Sequence, residues 1–303
     1  MTVRAIGEVL EQIERAPAPV ADGVGADAVA ELRAALDAAA ARAVAGLAED
    51  ELPVRLSRDR IARLLTCEQL AVATSSAPAA LVEEQVRGRV LDRLLHHHVH
   101  GRPATARTGP ALAIAEGAFE AERDDELTAW LSGTDPDTRT RLAEDATGFV
   151  DRLDALGPVP RDWWPRCEER LRVDLHDGAV RCTARLDLVV GGVPTPHPLV
   201  IIEAKSGRFA QEHRDGLAWY ALLTALRYAA IGERPTATLA WSAWDGALAP
   251  QAVTVDVLRG AADRAIAALD ALGDLLRGAR VARRTPGRAC AWCPERQSCP
   301  DAA

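Results

Sequence analysis

Leu199-Val200-Ile201-Ile202-Glu203-Ala204-Lys205-Ser206-Gly207 joins an apolar run to an acid, a spacer and a base. Of the 36 Lys and Arg residues in this 303-residue chain, Lys205 is the one lysine. Arginine spreads its charge over a planar fork, so it does not replace a compact ammonium that must sit beside a reacting oxygen. A single lysine placed two residues after a carboxylate therefore marks a candidate catalytic group. Val200, Ile201 and Ile202, bounded by Pro198 and Gly207, predict a central strand. Residues two apart on a strand point the same way, which brings Glu203 and Lys205 together and turns Ala204 aside. A preceding run, Thr183 to Val190, ends at Gly191-Gly192 and carries Asp187 among apolar neighbours, where a lone carboxylate is costly. Two such carboxylates suit Mg2+ or Mn2+, hard cations that take oxygen ligands. The lysine would orient or activate a water, or steady charge on a phosphate.

A second constellation closes the chain. Cys290, Cys293 and Cys299 form a C-x2-C-x5-C array in a short polar tail with little core of its own. Soft thiolates at this spacing hold zinc or an iron–sulfur cluster, and either wants a fourth ligand. Cys67 is the candidate for that place, because it ends a helix that Ser57 caps and Ile61, Leu64 and Leu65 line on one face. Taken alone, Cys67 also reads as a buried small hydrophobe. Cys167 and Cys182 fall in strand patterns and read as buried thiols.

These residues need elements to position them. Residues 1–50 read as a helical N-terminal extension, with a break over 17–25, and 51–303 as the main domain. A helix over 80–100 carries Gly88 and Asp92, with His96 one turn on and His97, His98 and His100 beside it. The histidines read either as a solvated helix end or, at His96, as a metal-ligating imidazole. A loop is expected at 102–109, within a helical insertion over 101–157. Trp163-Trp164 could stack on bases or pack a domain edge. Cys167 to Leu175 alternates as a half-buried strand, with Glu169 on the face of Leu171 and Val173. A turn at 176–179 leads to the Asp187 strand, and 193–197 connect to the Glu203 strand. A helix with Gly216 and Tyr220 follows, then strands near 236–243 and 250–256 and an amphipathic helix over 258–276.

Asp187, Glu203-x-Lys205 and the helix after it resemble the PD-(D/E)XK nuclease superfamily, in its RecB-like branch. The resemblance implies an α/β fold: a restriction-endonuclease-like core with a central mixed sheet flanked by helices, plus the helical extension and insertion. It implies a metal held by Asp187 and Glu203, with Asp92 at the family's histidine position and a carbonyl of Ile202 or Ala204. Glu169 resembles the first-strand Glu. Tyr220 matches the Tyr of a Gln-x-x-x-Tyr pair, whose Gln is here Gly216. Cys67 with Cys290, Cys293 and Cys299 looks like the 4Fe–4S clasp of AddB-type helicase–nucleases and CRISPR-associated RecB-like exonucleases, with zinc as the alternative. The resemblance covers about Leu56 to Pro300, interrupted by 101–157.

The implied activity is Mg2+-dependent hydrolysis of DNA, single-stranded or end-containing, in repair, recombination or antiviral defence. No helicase P-loop is visible, so unwinding would come from a partner, a helicase or other nucleic-acid-processing protein, or the substrate would already be single-stranded. Net charge is −8, which gives no global basic footprint and leaves nucleic acid to an Arg-lined groove. A non-cleaving DNA-binding or scaffolding protein on the same fold is one alternative, and a cluster-gated redox sensor another. No apolar stretch is long enough to span a membrane. Met1 to Ala21 lacks the apolar centre of a secretory signal, so a cytoplasmic setting is expected.

Overall fold

The structure, a computed structural model, describes residues 5–16, 24–76, 81–100 and 110–302. Most of the break expected at 17–25 and the loop expected at 102–109 lie outside them.

The apolar strand runs form one mixed six-stranded sheet: β1 (Val54–Ser57), β2 (Arg166–Leu175), β3 (Val180–Val190), β4 (Leu199–Lys205), β5 (Pro235–Ser242) and β6 (Leu248–Ala252). Antiparallel β2 follows β3 along its length. Parallel β1 pairs residues 180–183 of β3, and antiparallel β4 pairs residues 188–190. Beyond β4 come parallel β5 and antiparallel β6. The central position of β4 explains its composition, because six of its seven residues are buried and only Glu203 and Lys205 carry polar side chains.

Helices cover both faces, giving three layers. On one face lie α2 (Ala26–Val44), α3 (Arg58–Thr66), α9 (Gln211–Arg227) and α10 (Val255–Leu276), packed on Leu199 and Ile201. Gly273 lets α10 touch α2, since a Cβ there would lie 2.7 Å from Ala43 Cα. On the other face lie α1 (Ile6–Arg15), α5 (Glu83–His100), α6 (Ala111–Glu122), α7 (Asp125–Gly133) and α8 (Pro136–Leu156), packed on Val200, Ile202 and Ala204. Asp135 caps α8 by accepting from the Thr138 amide at 2.9 Å, with Pro136 in the first turn. A further short helix, α4 (Glu68–Ser76), follows Cys67.

Strand parity fails at one place. Leu186 packs on one face and Leu188, two residues on, packs on the other. Opposite this switch the β2–β3 register holds, with Cys167 facing Leu188 and Glu169 facing Leu186, but no pairing joins the position between them. That position is Glu168, held at φ 55, which is uncommon for a residue with a side chain. The twist sits beside Asp187, and strain of this kind clusters at functional sites.

Candidate active site

A cleft of about 1010 Å³ opens at the end of β4, with Asp92, Asp187, Glu203, Ala204, Lys205 and Tyr220 in its wall. Strand β3 supplies Asp187, strand β4 supplies Glu203 and Lys205, helix α5 supplies Asp92 and helix α9 supplies Tyr220. Parity on β4 acts as expected: the Lys205 ammonium contacts Glu203 Oε1. The Asp187 carboxylate accepts from the Ala204 amide at 2.8 Å, which ties the two central strands together at the cleft.

The carboxylates burden one another. Burial raises the Asp187 carboxyl well above the usual range, and Glu203 and Asp92 add to it. Burial likewise lifts Asp92 to about 6, helped by Glu203 and Glu168. Tyr220 is pushed up by burial and by Glu203. A cluster of acids that raise one another this way suits a positive guest.

Arg58 and Arg185 also line the wall, and Glu168 sits beside it. Arg58, on α3, donates from Nη1 to Glu203 Oε1 at 2.6 Å. Glu168 is gripped by Arg93 of α5 and Arg185 of β3, which hold its carboxyl below the usual range despite partial burial. Arg185 also lies 3.8 Å from Asp92. Arg63, Arg89, Arg170 and Arg172 line the same cleft, so an acidic chain presents a local basic groove. None of these was visible as a site residue, because each depends on tertiary neighbours. The signal for Arg58 was a cation in the first turn of a helix, where the dipole disfavours it.

Other expected residues lie elsewhere. Glu169 does share the face of Leu171, but it accepts from Tyr228 Oη at 2.6 Å and Arg166 Nε at 2.8 Å, and does not line the cleft. His96 is exposed and tilts against His100, with ring centres 4.9 Å apart. Ile202 packs in the core beneath the cleft. Trp163 is buried, stacked on His197 at 4.5 Å, while Trp164 is exposed under Arg166.

Among the described residues, no three His, Cys, Asp or Glu side chains stand close enough together to hold a metal ion as they are. The donor set still fits a hard divalent cation. Glu203 Oε2 is buried without a hydrogen-bond partner, and buried polar atoms are seldom left so. Oxygen donors from Asp187, Glu203 and Asp92 surround the same cleft.

A profile of the PD-(D/E)XK nuclease superfamily matches residues 55–300. The chain belongs to that superfamily. The match spans β1 to the cysteine tail and so includes every residue of the cleft wall named above. None of the curated protein sequences compared matches the chain. A crystal structure described as a "Putative exonuclease" from Eubacterium rectale shares its fold at TM-score 0.50 and 10% identity, covering 83% of this chain and 90% of that one. A structure named SSO0001 aligns over 70% of this chain and 94% of its own, at 12% identity and TM-score 0.31.

This member of the superfamily also gathers its tail cysteines. Cys67, Cys290, Cys293 and Cys299 line one crevice with Arg284 and Arg296, and no residue of it lines the cleft among those described. None of the six cysteines forms a disulfide. The Gly287 amide donates to Cys290 Sγ at 3.4 Å. As placed, the four thiols do not form a group close enough to hold a metal ion, although with a backbone donor and two guanidinium groups nearby their chemistry is that of thiolate ligands. Cys167 and Cys182 are apart from it, and burial lifts both thiols to about 12.

Asp187→Asn tests the electrostatics of the wall. A carboxyl raised on folding binds its proton more tightly in the folded state, so it stabilises as pH falls through the raised value and costs stability at neutral pH. In chelator at pH 7, Asp187→Asn is expected to be roughly 1 kcal/mol more stable than the parent by thermal melting, while losing cleavage. A variant that melts lower at pH 7 would contradict the assigned burden.

Proposed function

We propose that the chain is a metal-dependent deoxyribonuclease of the RecB-like branch, hydrolysing phosphodiester bonds. The observation that carries this is the convergence of Asp187, Glu203, Asp92 and the one lysine on a single Arg-lined cleft wall. Mg2+ or Mn2+ held by Asp187 and Glu203, with Asp92 and a carbonyl of Ile202 or Ala204, would acidify a water and neutralise charge at the phosphate. Lys205 orients the attacking water and steadies the oxygen that gains charge. Tyr220, in the same cleft wall as Glu203, helps position the substrate. The arginines of the groove hold the strand through its phosphates.

The cysteine crevice is a 4Fe–4S site in this reading, with zinc as the alternative, and its role is structural. Residues 1–50 act as an extension of a nuclease domain over 51–303. The substrate is DNA that is single-stranded or carries ends, in a cytoplasmic repair, recombination or antiviral setting, with a helicase or other nucleic-acid-processing protein as a partner. The likeness to the Eubacterium rectale protein supports an exonuclease over other modes.

The purified chain is expected to cut labelled single-stranded or end-containing double-stranded DNA in Mg2+ or Mn2+, and not in chelator. Binding without cutting in either metal would instead support a DNA-binding protein on the same fold.

A further inference from the structure

Arg58 reaches the cleft from α3, and two independent contacts fix it there. Its Nη1 bonds Glu203, and its guanidinium carbon lies 5.5 Å from the centre of the Tyr220 ring. Its aliphatic stem crosses α9 at Gly216, where a Cβ would lie 2.7 Å from Arg58 Cδ and 3.5 Å from Cγ. The arginine can occupy this path because residue 216 has no side chain. Ser57 caps α3 by accepting from the Arg60 amide at 3.3 Å, so the chain enters the helix just before Arg58. A cation there opposes the helix dipole, and such local conflicts mark residues placed for a site.

Neutralising Glu203 does not require Arg58, since Lys205 already contacts the same oxygen. The arginine Nε is engaged with Asp59 and Nη1 with Glu203, which leaves Nη2 without a hydrogen bond among the described residues. The side chain is 33% exposed and lines the cleft. A planar fork with spare donors matches phosphate oxygens in pairs, which a lysine does not.

We propose that Arg58 is a phosphate-binding residue, threaded through the gap at Gly216 to hold a backbone phosphate of the nucleic-acid strand beside Glu203 and Lys205. This rests on the nuclease reading above. Arg58 and Gly216 then form one unit, and changing either removes the same contact.

The test is binding of the full chain to a short fluorescein-labelled single-stranded DNA, by anisotropy in Ca2+ over a salt series. Arg58→Ala is expected to weaken binding about 5-fold to 10-fold and to lower the slope of log affinity against log salt by about 0.7, one phosphate contact on a single strand. Arg58→Lys restores the slope. Gly216→Ala removes no charge and meets only a flexible side chain, so the fold survives, which circular dichroism checks. It is expected to weaken binding similarly, and to add nothing in the Arg58→Ala background. An unchanged slope in Arg58→Ala, or independent additive losses, would overturn the proposal. If the parent cuts DNA while these variants bind as it does, the proposal fails and the nuclease reading stands. If the parent neither binds nor cuts, both fail.

Discussion

Lys205→Ala is expected to fold and to cleave at least about 10³-fold more slowly than the parent chain at saturating DNA. The ammonium contacts Glu203 at the cleft, and its side chain is 18% exposed. In the proposed mechanism, removing it takes away the donor that orients the attacking water, and the chain has no other lysine to replace it. The fold loses little, because Glu203 keeps its 2.6 Å bond to Arg58 and is not left as an unpaired buried charge. A loss of about 1 kcal/mol is expected from thermal melting. Lys205→Arg sharpens the test. It keeps the charge but brings a broad fork into a wall that already holds the Arg58 guanidinium, so it is expected to remain about 10²-fold impaired. Steady-state rates in Mg2+ and melting in chelator decide the matter. Full cleavage by Lys205→Ala would remove the hydrolytic role of the β4 wall, whatever the fold.

The parts of the candidate cleft whose placement follows from the sequence are those set by local rules. Glu203 and Lys205 share a side because strand parity is local and β4 is straight and buried. Asp187 was marked by an acid in an apolar strand, and the three tail cysteines by a spacing that no core explains. The final helix at Val255–Leu276 and β5 at Pro235–Ser242 lie close to where periodicity put them, whereas the strand expected near 250–256 is β6 at Leu248–Ala252 and the final helix takes over residues 255 and 256. What stayed hidden depends on distant partners. Glu168 meets Arg93 and Arg185 beside the cleft at a position where the chain takes φ 55, and nothing in Cys167-Glu168-Glu169 announces which acid does so. Arg58 points into the cleft because Gly216 stands far along the chain and clears its path. The four-residue β1 and the short α4 were not predicted, being too brief for either period to show. Gly216 stands where the superfamily resemblance calls for glutamine. In sequence this is a missing group, while in space the position is filled from α3.

If the proposed thiolate site binds a metal, Cys293→Ser is expected to release it and to lower the melting temperature by roughly 10 °C. The tail reaches Cys67 from more than two hundred residues away and buries little apolar surface of its own, so polar contacts hold it. Glu68, 2% exposed, accepts from Arg280 Nη1 at 2.5 Å and from the Arg283 amide at 2.8 Å. Gln69 donates to Glu295 at 2.7 Å. Those contacts place the three tail cysteines beside Cys67, and a bound metal would convert the placement into a cross-link. Its binding energy is then folding energy. By analogy with a covalent link closing a loop this long, such a staple would contribute about 5 kcal/mol. Iron and zinc analysis of anaerobically purified protein separates the two occupants: iron comes with a broad band near about 400 nm, zinc with no colour. Cys167→Ser, on β2 and away from the crevice, is expected to keep the full metal content. Because Cys67 caps the same helix that begins with Arg58, the staple also anchors the far end of the element that serves the cleft. DNA affinity in Cys293→Ser should therefore fall well below the melting temperature, even with Lys205 and the three acids intact. A Cys293→Ser protein that retains all its iron or zinc and melts with the parent would leave the tail as a polar appendage and remove the clasp.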